Sequence, residues 1–517
     1  MRRAAQKLWK SESGSVAPIV AISLFALIGA AGIGFDYARM AGMHTELQDA
    51  ADHAALAAAA QLDGKTNAQT RARAAAQSLI SNLALFSNNP NDTTGRSVTM
   101  NGLTAIQFYK DKARATPATG DADSNYVLVT VDNKRAFYAL TPVVAAFTSG
   151  PINAKAFAGV ASGICKVPPV MICNPQETST TKTFDATGLI GDGLNLVSVG
   201  NGSGGWSPGN FGYLNTHGGS NGAPGLREGL GWLTPAGDCL PQTGVDTKPG
   251  ASVSVTDALN TRFDIYDSGQ SCPSGGTCPP SANTVKDLVR KNGNGNNVCT
   301  LGNNGWQEAS NPYLPSSATT PLTNAQMPNA MGYPRDMCHA ISANGSCTNG
   351  RIGDGLWDRN AYFYVNYGSA FDWRTAMTSA GYNSNTVTRY QVYQWELTNA
   401  ASRINTPRAV GANTTAYGAP ICWSGTPSGG IVPGGSNVDR RRISAAIVNC
   451  QQNSVNGNST NVPVVKWVEL FLVEPSANRA RTSAGDIYAE IIGETNSGSA
   501  GGTAGQVVRK DVPYLIE

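Results

Sequence analysis

Charge is the first thing this chain is short of. Lys, Arg, Asp and Glu make up only 14% of its 517 residues, and the formal net charge is +3. Four of the 38 basic residues and one of the 35 acidic ones precede residue 16, so 34 of each remain beyond it. A part this close to neutral lacks the field that holds nucleic acid or an acidic polymer, so no nucleic-acid partner is expected. Histidine is also scarce: His44, His53, His217 and His339 are all there are. The absence of any Cys-x-x-Cys pair argues against zinc ribbons and thioredoxin-like motifs. There is no GxxxxGK[ST] phosphate loop, and Asn201-Gly202-Ser203-Gly204-Gly205 only approaches a nucleophile elbow. Glu469, Glu474 and Glu490 are too scattered to argue a glycosidase pair. The expectation is a protein that is not an enzyme, with no catalytic residue, cofactor or bound metal.

Cysteine is missing from the first 164 residues and then occurs ten times, at Cys165, Cys173, Cys239, Cys272, Cys278, Cys299, Cys338, Cys347, Cys422 and Cys450. An even count confined to one side of a membrane-length segment reads as a disulfide set formed in an oxidising compartment. Local bridges Cys272 to Cys278 and Cys338 to Cys347 fit the spacing, while the full connectivity is open.

That segment is Val16 to Gly34, VAPIVAISLFALIGAAGIG, which carries no charge. As a helix it spans roughly 28 Å, about the thickness of a bilayer's hydrocarbon core. Arg2, Arg3, Lys7 and Lys10 precede it. The positive-inside rule then keeps residues 1–15 as a cytoplasmic tail and sends everything after Asp36 across the membrane. The run exceeds a signal peptide's apolar core, although Gly29, Ala30 and Ala31 imitate a cleavage site. Residues 35–62 are Ala-rich without Pro, so the helix is expected to continue past the membrane, rising about 70 Å by Leu62. Ala26, Ala30, Gly34, Ala38 and Gly42 recur every fourth residue, a ridge that allows close helix approach or homo-oligomer formation; an Ala/Gly-rich span also shows such a ridge by chance. Asp36 and Arg39 read as a solvated ion pair around an interfacial Tyr37.

Gly14 ahead of the span, the exit Gly34-Phe35-Asp36-Tyr37-Ala38-Arg39 and the run Leu47-Gln48-Asp49-Ala50-Ala51-Asp52 together resemble the N-terminal segment of TadG-like proteins of the Tad (Flp) pilus-assembly system. The resemblance covers about residues 12–62. It implies a non-enzymatic inner-membrane component with its bulk in the periplasm, a single pass through the membrane, and other pilus-assembly proteins as partners. Many members of the family carry a von Willebrand type A domain. Its Asp-x-Ser-x-Ser metal loop is missing here, so metal-dependent adhesion does not carry over. Gly14 is followed by Ser15-Val16-Ala17-Pro18-Ile19, without the Glu that prepilin processing requires. The alternative readings are an exported membrane-anchored enzyme or glycan-binding protein, and a surface adhesin released near Ala31.

The expected fold class is α+β: a long N-terminal transmembrane helix (16–34, extended through 35–62) with a small α+β module (63–164), then a disulfide-stapled, mainly-β domain (165–517). Residues 66–86 read as a second helix with Leu79, Leu83 and Phe86 on one face, and Arg135–Phe147 as a helix candidate. Strand signals are Ser97–Met100, Thr104–Tyr109, Tyr126–Val131, Ile152–Ala161, Arg262–Asp267, Ala361–Val365, Arg389–Trp395, Ile443–Val448, Val464–Val473 and Ile487–Ile492. Val464–Val473, apolar on both faces apart from Lys466 and Glu469, reads as a central strand. Eight of the nine Trp follow Cys165; buried core positions are the commoner use, sugar stacking the rarer. The word Ile-Gly-Asp-Gly-Leu occurs at 190–194 and again at 352–356. With only Asp192 and Asn195, or Asp354 and Asp358, as side-chain donors, each reads as a tight turn and not a calcium loop. Asp121-Ala-Asp123-Ser-Asn125 lacks the EF-hand glycine and reads as a solvated turn.

Overall fold

The computed structural model describes residues 16–62, 66–79, 84–87, 96–100, 105–136, 138–141, 151–165, 169–197, 210–215, 222–235, 239–241, 244–250, 253–267, 269–292, 299–342, 345–348, 350–435, 437–495 and 508–516. They form two units, one from 1–161 with 511–517 and one from 162–510.

The first unit is organised by a single 44-residue helix, α1 (Val16–Ala59). Its first half exposes apolar side chains all round, among them Ile19, Ile22, Phe25, Leu27 and Ile33, as a lipid-facing surface does. Beyond Met43 one stripe turns inward: Met43, Leu47, Ala50, Ala51, Ala54, Ala55, Ala58 and Ala59 are buried. A second helix, α2 (Ala68–Leu79), answers with Ala68, Ala72 and Ala76 at a spacing of four. Alanine methyls make the described part of this contact. Leu79 and Leu83 lie outside the described side chains, and Phe86 is 42% exposed. The sheet orders β1 (Ile106–Tyr109), β2 (Tyr126–Thr130) and β3 (Lys155–Cys165) antiparallel, with the C-terminal strand Val508–Leu515 beside β3. Alternate residues Ile106, Phe108, Val127, Val129, Ala156 and Ala158 join the helical stripe in one core, as a period of two dictates. Ser97–Met100 forms no strand. Of 135–147, residues 135, 136 and 138–140 are not helical, Thr141 lies in a 3₁₀ turn, and residues 137 and 142–147 lie outside the described set.

In the second unit, β4 (Met171–Cys173), β5 (Gly193–Val197), β6 (Arg442–Val448), β7 (Val464–Leu472) and β8 (Ile487–Glu494) build a sheet ordered β4-β6-β7-β8-β5. Only the β4–β6 pair is parallel. β7 is central as expected, and both its faces are covered. Val468, Leu470 and Leu472 pack with Ile443, Ala445 and Ile447; Trp467 packs with Ala446 and Val448; Phe471 meets an aromatic layer. That layer comes from α4 (Arg359–Tyr367), α5 (Trp373–Ser379) and α6 (Arg389–Asn399), with α3 (Ala223–Gly231) in the opposing core. A smaller sheet orders Trp306–Glu308, Leu288–Lys291, Thr414–Ala416 and Arg408–Gly411, and a ribbon pairs Asn210–Leu214 with Thr247–Pro249.

Three expected strands are corrected. Ala361–Val365 lies in α4 and Arg389–Trp395 in α6. Asp358 and Thr388 cap these helices by accepting from the backbone N–H groups of Ala361 and Gln391, and Gln391 completes a capping box. Arg262–Asp267 begins as a 3₁₀ turn, Thr261–Phe263, and ends with Asp264 in the left-handed region at φ 65°. Disulfides join Cys173–Cys450, Cys272–Cys278, Cys299–Cys422 and Cys338–Cys347, so both local bridges suggested by the sequence are present. The backbone register sets Cys165 opposite Cys239.

Candidate functional site

At the exit of the membrane span, Asp36 is 3% exposed. Its carboxylate accepts from the backbone N–H groups of Ala139, Leu140 and Thr141 (2.9, 3.0 and 2.8 Å) and from the Thr141 hydroxyl (2.6 Å). This overturns the solvated Asp36–Arg39 pair: a carboxylate offers four lone-pair sites, and here three successive amides and a hydroxyl occupy them. Gly32, one turn earlier, lies against Leu140, where a Cβ would come within 2.7 Å of the leucine Cβ. The ridge residues Ala26, Ala30, Gly34 and Ala38 are exposed, and Gly42 abuts the ring of Phe86. The buried face of this stretch is a different one, made by Gly29, Gly32 and Asp36.

In the second unit the two Ile-Gly-Asp-Gly-Leu words meet. Leu194 bridges Ile352 antiparallel, Gly353 N–H donates to Gly193 O, and Asn195 N–H donates to Arg351 O. One oxygen of Asp336 accepts from the amides of Gly193, Asp354 and Gly355 (each 2.9 Å). Its other oxygen pairs with Arg389, which also holds Glu490 at 2.9 Å. All three charged side chains are fully buried. Burial acts to raise the Asp336 carboxyl, but Arg389 and the amides hold it below its ordinary value. Cβ atoms at Gly193 and Gly353 would run into the Tyr488 hydroxyl and the Asp336 carboxylate. These glycines are therefore close-approach positions. The word was visible in the sequence; its partner Asp336, 143 residues beyond Gly193, was not. Asp354 accepts from Leu356 N–H, and Asp358 caps α4 and accepts from Leu322 N–H, so these carboxylates serve turns. Asp121 likewise accepts from the amides of Asn67 and Gln69 at the start of α2, while Asp123 pairs with Lys110.

Among the described residues, Cys338, His339 and Cys347 form the one group of metal-ligating side chains close enough to share an ion. They do not suit one in this state. The two sulfurs are bonded to each other, and both histidine nitrogens are engaged: Nε2–H donates to Gly350 O (2.7 Å) and Nδ1 accepts from the Tyr488 hydroxyl (2.8 Å). Burial pushes this imidazole below its usual range.

A cleft lies between the 287–335 region and the 474–482 segment. Its wall is a chain of ion pairs: Asp287–Arg479 (2.6 Å), Arg479–Glu474 (3.1 Å), Glu474–Arg335 (2.6 Å) and Arg335–Asp486 (3.3 Å). A second cleft is lined by Lys286, Tyr367, Glu396, Arg403 and Arg408. Glu396 accepts from the hydroxyls of Tyr333, Tyr362 and Tyr367 and from the Asn283 amide, and burial still pushes its carboxyl upward. Lys286 sits 4.1 Å above the Trp306 ring, and burial pushes its ammonium down to about 7.

Taken together, an exposed apolar helix continuous with an α+β core, followed by a disulfide-stapled unit, defines a single-pass, membrane-anchored α+β protein. Residues 14–61 match a family model described as putative Flp pilus-assembly TadE/G-like. The match spans the apolar helix, its Asp36 exit and the buried alanine stripe, and it supports a role in pilus assembly. Neither a curated protein nor a solved structure matches the chain.

Proposed function

We propose that this protein is a non-enzymatic, inner-membrane component of Tad/Flp pilus assembly whose folded units stand in the periplasm and act by protein–protein contact. The observation that carries the reading is α1. One uninterrupted helix supplies both the apolar span and, from Met43 to Ala59, the core of the first unit. Anchor and domain are thus one rigid element, and Gly29–Ala31 lies in mid-helix, unlike the extended backbone that proteases cut. The basic tail at Arg2, Arg3, Lys7 and Lys10 favours an N-terminus in the cytoplasm. The exposed ridge Ala26–Ala30–Gly34–Ala38 leaves a face on which another membrane helix can pack. The test is photocrosslinking in native membranes from probes placed at Ala30, Gly34 and Ala38. Adducts with other Tad-system proteins, together with loss of pili on deletion of the gene, are expected. Normal piliation without the protein would overturn the proposal.

A further inference from the structure

Between Glu12 and Arg39 the one charged residue is Asp36. Its carboxylate is closed off, 3% exposed and occupied by the 139–141 amides and the Thr141 hydroxyl. The surface that α1 offers a bilayer is therefore uncharged from Val16 to Ala38, about 34 Å of helix against a hydrocarbon core of about 30 Å. Gly32 lies inside that stretch whether the span is counted to Gly34 or to Ala38. Leu140 packs on Gly32 so closely that a Cβ there would come within 2.7 Å of the leucine Cβ. A loop residue is thus held at a depth that belongs to the membrane.

The chemistry of the loop suits that depth. Lys134 and Ile152 pair through two hydrogen bonds of 2.9 Å and so close residues 135–151 into one loop. After Arg135 no charged residue occurs until Lys155. Irregular backbone is kept out of lipid chiefly by its unsatisfied polar groups. Here Asp36 accepts from Ala139, Leu140 and Thr141 in turn, and the next residue, Pro142, has no N–H to satisfy. The Tyr138 hydroxyl turns back to Met40 Sδ at 3.2 Å. What the loop presents outward is apolar: Ala139 is exposed and Leu140 is 42% exposed. Ile33, Phe35 and Tyr37 continue this exposed surface along α1, and tyrosine favours the membrane–water boundary. A carboxylate at such a depth is costly unless it is partnered, and the loop amides are its partners.

We infer that residues 138–141 form a lipid-seated loop. Ala139 and Leu140 enter the boundary between acyl chains and headgroups beside α1, and Asp36 permits the entry by taking up the loop's N–H groups. The partner is the bilayer surface, continuous with the lipid around the span. The loop covers the Gly32–Asp36 face and leaves the Ala26–Ala30–Gly34–Ala38 ridge open to another helix. This inference rests on the anchored reading above, with α1 uncleaved.

The test uses the full-length protein in phosphatidylcholine vesicles, with photoreactive p-benzoylphenylalanine in place of Phe25, Lys112, Ala139 or Leu140. Intact-mass spectrometry after irradiation reads covalent lipid adducts. Phe25 reports the span, and Lys112, exposed between β1 and β2, reports the aqueous surface. Adducts from Ala139 and Leu140 are expected near the Phe25 level and about tenfold above Lys112. Asp36→Ala should cut the Leu140 adduct about fivefold and leave the Phe25 adduct unchanged. Gly32→Val, which keeps Asp36 but drives a side chain into Leu140, should act in the same direction. The inference alone falls if Phe25 labels lipid while Ala139 and Leu140 do no better than Lys112. No lipid on Phe25 overturns the anchored reading and the inference with it. An unchanged Leu140 adduct in both variants overturns the part given to Asp36.

Discussion

Asp336 shows how much a single carboxylate can hold in this protein. It joins three backbone amides from two distant segments to Arg389, with no solvent to share the load. Removing one partner of a fully buried pair strands the other, so Asp336→Ala should lower unfolding free energy by about 3–5 kcal/mol in chemical denaturation. Asp36 does comparable work at the membrane exit. Asp36→Ala leaves three amides without an acceptor and should cost about 1–3 kcal/mol, read as faster hydrogen exchange at Ala139–Thr141. Lys286 gives a pH signature. Its folded value is about 7 against an ordinary 10.5, so above 7 the folded state holds less proton than the unfolded one. Unfolding then takes up a proton, and stability rises with pH between about 7 and the ordinary 10.5, with raised tyrosines such as Tyr333 acting in the opposite sense above 10. Lys286→Met should flatten that rise in thermal melts recorded across the window.

Elements in this chain depend on neighbours that sequence periodicity does not show. Alternation made Ala361–Val365 and Arg389–Trp395 look like strands, yet each segment follows a strong cap, Asp358 or Thr388 with Gln391, that starts a helix. The caps were readable; the apolar pattern outweighed them because α6 is buried broadly, at Tyr390, Val392, Tyr393 and Trp395, and lacks a clean helical stripe. β7 was legible for the converse reason: a strand covered on both faces is apolar throughout. The short edge strand β4 is held to β6 by three residue pairs and by the Cys173–Cys450 bridge. Because that bridge closes a loop with a sequence separation of 277, replacing both cysteines by serine should cost up to roughly 5–6 kcal/mol by the chain-entropy relation. Faster amide exchange at Met171–Cys173 would show that the edge strand is the part released.

At the scale of the whole molecule, one helix makes membrane attachment and folding inseparable. The protein should resist extraction by high salt and alkali and dissolve only in detergent, at full-length mass. A soluble fragment beginning near Gly32 would show instead that the span is removed. If the orientation proposed above holds, thiol labelling of intact cells should find the described cysteines of the second unit blocked until reductant is added.

Composition and short-range pattern sufficed for the anchor, the α+β class and the central strand. Each of these follows from solvation or from a period of two to four residues, and both are local properties. The pairing of the two Ile-Gly-Asp-Gly-Leu words through Asp336, the Asp36 latch on 139–141 and the cleft around Arg479 were decided only by the tertiary structure. They join residues tens to hundreds of positions apart. A buried charge finds its partner through the path of the backbone in space, and one sequence without its fold does not encode that path in any readable spacing.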